Sequence, residues 1–186
     1  MNTSDPDFIP IKANYDNLLA YRKSECIYDI TYYFANRFLQ KGDRTIDQMI
    51  QAARSGKQNI AEGVEAGCTS METAIKLVNV ARASLQELLI DYKDYLRVRD
   101  LELWDFRSDK GHKCRRACSI HNDSAYYRAA IRERNDTAIA NIAITLIFQC
   151  DSMLRGLIEA LKKDFLEHGG IREEMTRARL RARRQG

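Results

Sequence analysis

A chain of 186 residues, 45% of them apolar and 30% charged, is long enough for one domain with a sizeable core, and two prolines with long three- and four-residue apolar spacings favour helices throughout. It carries no run of about 18 apolar residues and no basic-then-apolar start, so neither a membrane span nor a leader is expected and the chain is read as cytoplasmic. The formal charge of +4 is concentrated: Ile171 to Gly186 holds six arginines against two glutamates, which is the whole excess. Attraction to polyanions is therefore expected to be led by the tail. Five cysteines, Cys26, Cys68, Cys114, Cys118 and Cys150, are an odd number in a chain too long to need disulfides, and are read as reduced thiols.

Residues 1–12 contain both prolines and little periodicity, and read as an arm before the first helix. That helix spans about 14–40 and stops at Lys41-Gly42-Asp43. It has two apolar stripes. Leu19, Cys26, Ile27, Ile30, Tyr33 and Phe34 form a core face, while Tyr21, Tyr28, Tyr32, Ala35 and Leu39 line up opposite. A helix apolar on both sides is usually buried on both, so the second stripe suggests a subunit interface. Cover by the N-terminal arm or the tail is the plainer alternative. Base stacking on the tyrosines is a third, but it needs interleaved cations, and only Arg22 and Lys23 are close in sequence.

The second helix is expected over about 44–62, with Ile46, Met49, Ile50, Ala53 and Ile60 on its apolar side. Gly56-Lys57 is its soft point, where a kink is expected. Asn59-Ile60-Ala61-Glu62-Gly63 reads as a sharp turn, with Asn59 and Glu62 hydrogen-bonding it and Gly63 supplying a positive backbone angle. A third helix over about 70–99 then opens at Thr69, which with Glu72 forms a capping box. Its stripe, from Met71 and Ala74 through Leu85, Leu88 and Tyr92 to Leu96, is unbroken, and about 27 residues give a rod of about 40 Å. The short link predicts that these two helices are antiparallel neighbours.

Between Trp104 and Asp123 the periodicity vanishes and five positive residues stand against three negative. The stretch 104–135 is read as a long connection, with a minor helical piece at Ser124 to Arg132. His112, Cys114, Cys118 and His121 are four conceivable zinc ligands, yet their crowding does not match paired-knuckle spacing, and no metal or other cofactor is expected. Asn135-Asp136 caps a last major helix over about 136–167, whose apolar seam runs from Ile139 to Phe165. His168-Gly169-Gly170 ends it. The suffix 169–186 is a thin apolar ridge among Arg177, Arg179, Arg181, Arg183 and Arg184, which can neutralise phosphates or simply stay solvated.

The run Arg54-Ser55-Gly56-Lys57-Gln58-Asn59-Ile60-Ala61-Glu62-Gly63, followed by a capped helix with a continuous seam, resembles the four-helix-bundle proteins encoded by intervening sequences of large-subunit ribosomal RNA genes. The accessory variability determinant of diversity-generating retroelements looks like a member of the same group. Asp43 to Ile50 and the final Gly169-Gly170-Ile171-Arg172-Glu173-Glu174-Met175 are more specifically similar to the four-helix-bundle suffix proteins. The resemblance covers almost the whole chain. It implies an up-down bundle assembled into a five-fold ring, no known enzymatic activity, no catalytic residues and, through the retroelement relative, binding to nucleic acid and a reverse transcriptase.

The expectation is therefore an all-α protein: an antiparallel up-down four-helix bundle over 13–168 with a basic C-terminal extension. It would act without catalysis as a ring homo-oligomer binding RNA or DNA, through the tail arginines together with Arg54 and Lys57, as an accessory to a nucleic-acid enzyme. A scaffold ring with no nucleic-acid role is the alternative. No glycine-rich phosphate loop after a strand and no paired-histidine helix motif point to an enzyme.

Overall fold

The computed structural model describes residues 14–185, apart from the side chains of His168, Ile171, Arg172, Glu174, Ala178, Arg184 and Gln185. The expected arm thus lies outside the described residues. After a 3-10 turn at Tyr15–Asn17 come α1 (Leu19–Phe38), α2 (Arg44–Gly67), α3 (Met71–Arg97), α4 (Asp109–Ile120), α5 (Ser124–Ala130), a 3-10 turn at Ile131–Glu133, α6 (Asp136–His168) and α7 (Ile171–Gln185). The protein is all-helical, with no strand among the described residues.

The core follows the seams. α2 packs on α3, α3 on α6, α6 on α1 and α1 on α2, enclosing Ile27, Phe34, Met49, Ile60, Leu85, Tyr92, Leu146 and Leu154, none of them reachable by solvent. Tyr92 carries a hydroxyl into this interior and donates it to Thr31 Oγ1 at 3.0 Å, which satisfies both groups. α6 is the most apolar element. One 18-residue window within Asp136–Glu167 has a mean hydropathy of 1.4, long and apolar enough to cross a membrane by composition alone; 61% of that window is buried inside the protein, as a central core helix requires.

The α2–α3 pair departs from expectation at its ends. Helix continues through Asn59, Glu62 and Gly63 as far as Gly67, so the expected turn is the interior of α2, and no kink is needed at Gly56. Glycine there serves close approach. A methyl group on Gly56 would lie 2.9 Å from Leu85 Cδ2, and one on Gly63 would lie 3.0 Å from Val78 Cγ2. These glycines are two helical turns apart and face the same neighbour. Gly67 meets Ala74, so as residue numbers rise on α2 they fall on α3, and the two helices run in opposite directions. Asn59, also assigned to the turn, donates its amide to the Ser55 carbonyl at 2.9 Å; Ser55 Oγ in turn lies 2.9 Å from Ser84 Oγ on α3. Glu62 is exposed on the outer face.

The true link is Cys68 to Ser70, and the cap is Ser70 rather than Thr69. Ser70 Oγ accepts the Thr73 N–H at 3.2 Å, while the Thr69 hydroxyl turns back to the Ala66 carbonyl. Glu72 pairs with Lys76 at 2.6 Å instead of closing a capping box.

The expected aperiodic connection is largely helical. Asn141 of α6 pins its first part: the side-chain oxygen accepts the Trp104 N–H and the amide donates to the Glu102 carbonyl, both at 2.8 Å. α4 then starts at Ser108, whose hydroxyl accepts the Gly111 N–H, and lies on α6. α5 lies on α1. Asn135 caps α6 as expected, accepting the Ala138 N–H at 2.9 Å.

Candidate functional site

Among the exposed positive residues, two groups bear on the expected functions. The first is α7, which leaves α6 through Gly169, whose φ of 78° is a conformation that glycine adopts at little cost. Arg177, Arg179, Arg181 and Arg183 are all exposed; the Arg184 side chain lies outside the described ones. Arg177 and Arg181 are one turn apart, as are Arg179 and Arg183, so the four form two rails along the helix. Where α7 begins, Thr69 to Glu72 and the α6–α7 junction border a crevice. Glu72, Glu167 and Glu173 line it beside Arg177, and three carboxylates make it a poor seat for phosphate. The useful charge of α7 lies further along.

The second is the outer side of α1. The expected interface stripe is divided by the fold. Ala35 is completely buried in the core and is unavailable to another subunit, and Tyr21 and Leu39 are partly buried against the core. Tyr21 also packs edge-on against Tyr15, and burial next to Glu25 pushes its phenol pKa up to about 12. Leu19, assigned to the core face, is exposed. Tyr28 lies beneath Lys57, whose Nζ is 4.7 Å from the ring centroid, a cation–π contact between α1 and α2. Tyr32 is 55% exposed. Arg54, on α2, is also exposed.

Tyr28, Tyr32, Tyr33 and Arg37 of α1 line an open cleft of about 520 Å³ whose other wall, from α5 and the 3-10 turn after it, carries Arg128 and Arg132. Asp29 organises the α5 side, accepting from Arg128 Nη1 at 3.0 Å and from the Ser124 hydroxyl. Arg37 and Arg132 have no hydrogen-bond or ion-pair partner among the described residues. The cations that base stacking requires are therefore present, but two of the three come from about 100 residues further along the chain. Arg37, four residues after Tyr33 on α1, is a local cation beyond the Arg22 and Lys23 of the sequence reading, whereas no local spacing could reveal Arg128 and Arg132.

The four candidate metal ligands are not brought together. Cys114 and Cys118, one turn apart on α4, are buried with their sulfurs 4.0 Å apart. The Cys118 thiol stabilises the ionised form of Cys114, lowering the Cys114 pKa and raising its own. His112 is exposed and hydrogen-bonded to Arg115, and His121 stacks on Tyr126 with ring centroids 3.6 Å apart. Beneath α4 sits Lys23, which the sequence offers as a cation beside the tyrosines and which the fold instead withdraws from the surface. Lys23 is fully buried, and its Nζ donates to the Cys118 carbonyl at 2.7 Å and to Gln149 Oε1 at 3.0 Å. Burial lowers its pKa. A neutral amine has two N–H donors, and these two acceptors match them. With no exposed surface, Lys23 ties α1 to α4 and α6 and offers nothing to a substrate.

No family model, curated protein sequence or solved structure matches this chain.

Proposed function

We propose that the chain is a non-catalytic, oligomeric nucleic-acid-binding protein: an antiparallel up-down four-helix bundle whose basic C-terminal extension grips phosphate. The observation that carries this reading is the exposed series Arg177, Arg179, Arg181 and Arg183 on a helix that holds the whole formal charge excess. Arginines on a solvated helix bind the backbone of RNA or DNA by displacing condensed counterions, which gives affinity without sequence choice. Arg54 and Lys57 add to the basic surface. Self-assembly multiplies one weak extension into several and raises avidity. The five-fold ring is what the family resemblance implies, as is service as an accessory to a nucleic-acid enzyme such as a reverse transcriptase. Exposed Val80, Ile90 and Leu166 are surfaces that such assembly would cover.

The test combines solution mass by light scattering with binding to a mixed-sequence RNA, for the full chain and for a variant with Arg179, Arg181 and Arg183 replaced by Gln. The wild type is expected to lose affinity steeply between about 50 and 200 mM salt, and the variant to lose about two units of the logarithmic salt slope. Affinity indifferent to salt would sink the proposal.

A scaffold with no nucleic-acid role is supported by one feature, the crevice that the start of α7 shares with the α2–α3 link. On that reading RNA never binds, and deleting residues 171–186 changes the mass while the triple variant does not.

A further inference from the structure

We infer that the cleft between α1 and α5 is a stacking site for single-stranded nucleic acid. It is separate from the α7 arginines and deepens the nucleic-acid reading by naming the form of strand. α6, between them in the chain, has 33 residues and so spans about 50 Å; Ile131 and Arg132 precede its first turn and α7 follows its last. The two surfaces are built independently.

Three features converge on an unpaired base. The cleft offers aromatic rings rather than aliphatic side chains, and every base has a π-face that can stack on tyrosine whatever the sequence. Tyr28 and Tyr32 stand one turn apart on α1 with ring centroids 6.4 Å apart and planes 33° from parallel, so neither ring occupies the other's face. Tyr32 is left more than half exposed. Next, the charge is uncompensated. Arg128 is neutralised by Asp29, but Arg37 and Arg132 have no acidic partner among the described residues, leaving two guanidinium groups for phosphates on either side of a stacked base. Finally, the space is a concavity of about 520 Å³, within the range that holds small organic groups. Duplex bases are already stacked on one another and cannot enter it without unpairing.

A second copy of the chain fits less well. An isologous contact through this cleft would bring Arg37 and Arg132 towards their own counterparts and desolvate charges that have no partner.

The probes are a fluorescent oligouridine of about 12 nucleotides and a duplex of the same length, both read by anisotropy on the full chain. Tyr32→Ala is expected to weaken oligouridine binding about tenfold and leave the duplex unchanged, since one stack is worth about one decade. Tyr32→Phe keeps the ring and is expected to stay within about twofold of wild type. Replacing both Arg37 and Arg132 by Gln is expected to lower the single-strand salt slope by about 1.4. Tyr32 is exposed, so these variants should fold, and a thermal melt equal to wild type checks it.

The inference is overturned if Tyr32→Ala leaves oligouridine affinity within about twofold, if it weakens duplex equally, or if it changes the solution mass instead of the affinity. Silent cleft variants beside an α7 triple variant that abolishes binding would retain the proposed function and remove the cleft. Failure of wild type to bind either probe would remove both.

Discussion

The α2–α3 pair and the α4–α5 excursion each press a glycine against a neighbouring element, but the obstacles differ. At Gly56 the neighbour is the end of a leucine side chain, and the contact is one of a series that repeats down two parallel-sided helices. At Gly111 it is backbone: a methyl group there would run into the carbonyl of Asp105 and crowd Phe106 Cα. Asn141 holds the segment just before it by hydrogen bonds to Glu102 and Trp104, so that backbone has little room to retreat. A periodic interface can share out a misfit, whereas a single clasp takes it all.

The largest predicted effect separates the two. Gly111→Ala is expected to cost about 3 kcal/mol of stability, at the upper end of overpacking. Gly56→Ala should cost about 1 kcal/mol or less, because Leu85 can adjust and alanine returns up to about 1 kcal/mol of helix propensity. Urea unfolding of both variants measures this. Equal losses would show that the obstacle's identity does not matter, and the contrast would fail.

The same contrast explains what could be read from the chain. In α3, Ala74, Val78, Leu85, Leu88 and Tyr92 lie on one helical stripe and all are buried, because burial in a long helix is written at fixed intervals. The limits of α2 are ambiguous in the sequence because glycine has two uses: it ends helices through positive φ and it lets helices touch. Gly56 and Gly63, two turns apart, carried the packing signal in their spacing. The excursion gave no such signal. Its ties run between distant polar residues, Lys23 to Cys118, Asp29 to Arg128 and Asn141 to Trp104, and each is set by tertiary placement alone. The candidate cleft was half legible for the same reason: Tyr28 and Tyr32 stood out at helical spacing, while Arg128 and Arg132 belong to the excursion.

Lys23 makes the excursion's attachment titratable. Burial lowers its pKa from 10.5. Between that lowered folded value and 10.5 the unfolded chain binds a proton that the folded chain does not, so this residue's contribution to stability rises with pH across the window and is constant below it. The buried thiols of Cys26 and Cys150, pushed up to about 12 from 9.0, act in the opposite sense: above pH 9.0 they ionise only in the unfolded chain, and stability falls. Lys23→Met removes the first effect and keeps the second in the same sense, since the amine's pull lowers both thiols and its loss raises them further. The stability of wild type relative to the variant is expected to climb with pH, with Met the better residue at the acid end of the window. Urea titrations at several pH values give this difference directly. If it stays constant from about pH 5 to pH 10, the amine keeps its proton in the folded protein, and the match of two donors to two acceptors is accidental.

The smallest effect concerns the link of the α2–α3 pair. Ser70→Ala removes the acceptor for the Thr73 N–H and should cost about 1 kcal/mol, the usual worth of a helix N-cap. Thr69→Ala should cost only a few tenths, since its hydroxyl returns to a carbonyl already within α2 and no amide of α3 depends on it. Both residues can cap a helix, and only the position of the chain reversal decides between them. Helix through Gly67 leaves three linking residues, and Ser70 is the last of these with extended backbone before the first turn of α3. A larger loss at Thr69 than at Ser70 would move the reversal back towards Gly63, and the packing role of that glycine would have to be withdrawn with it.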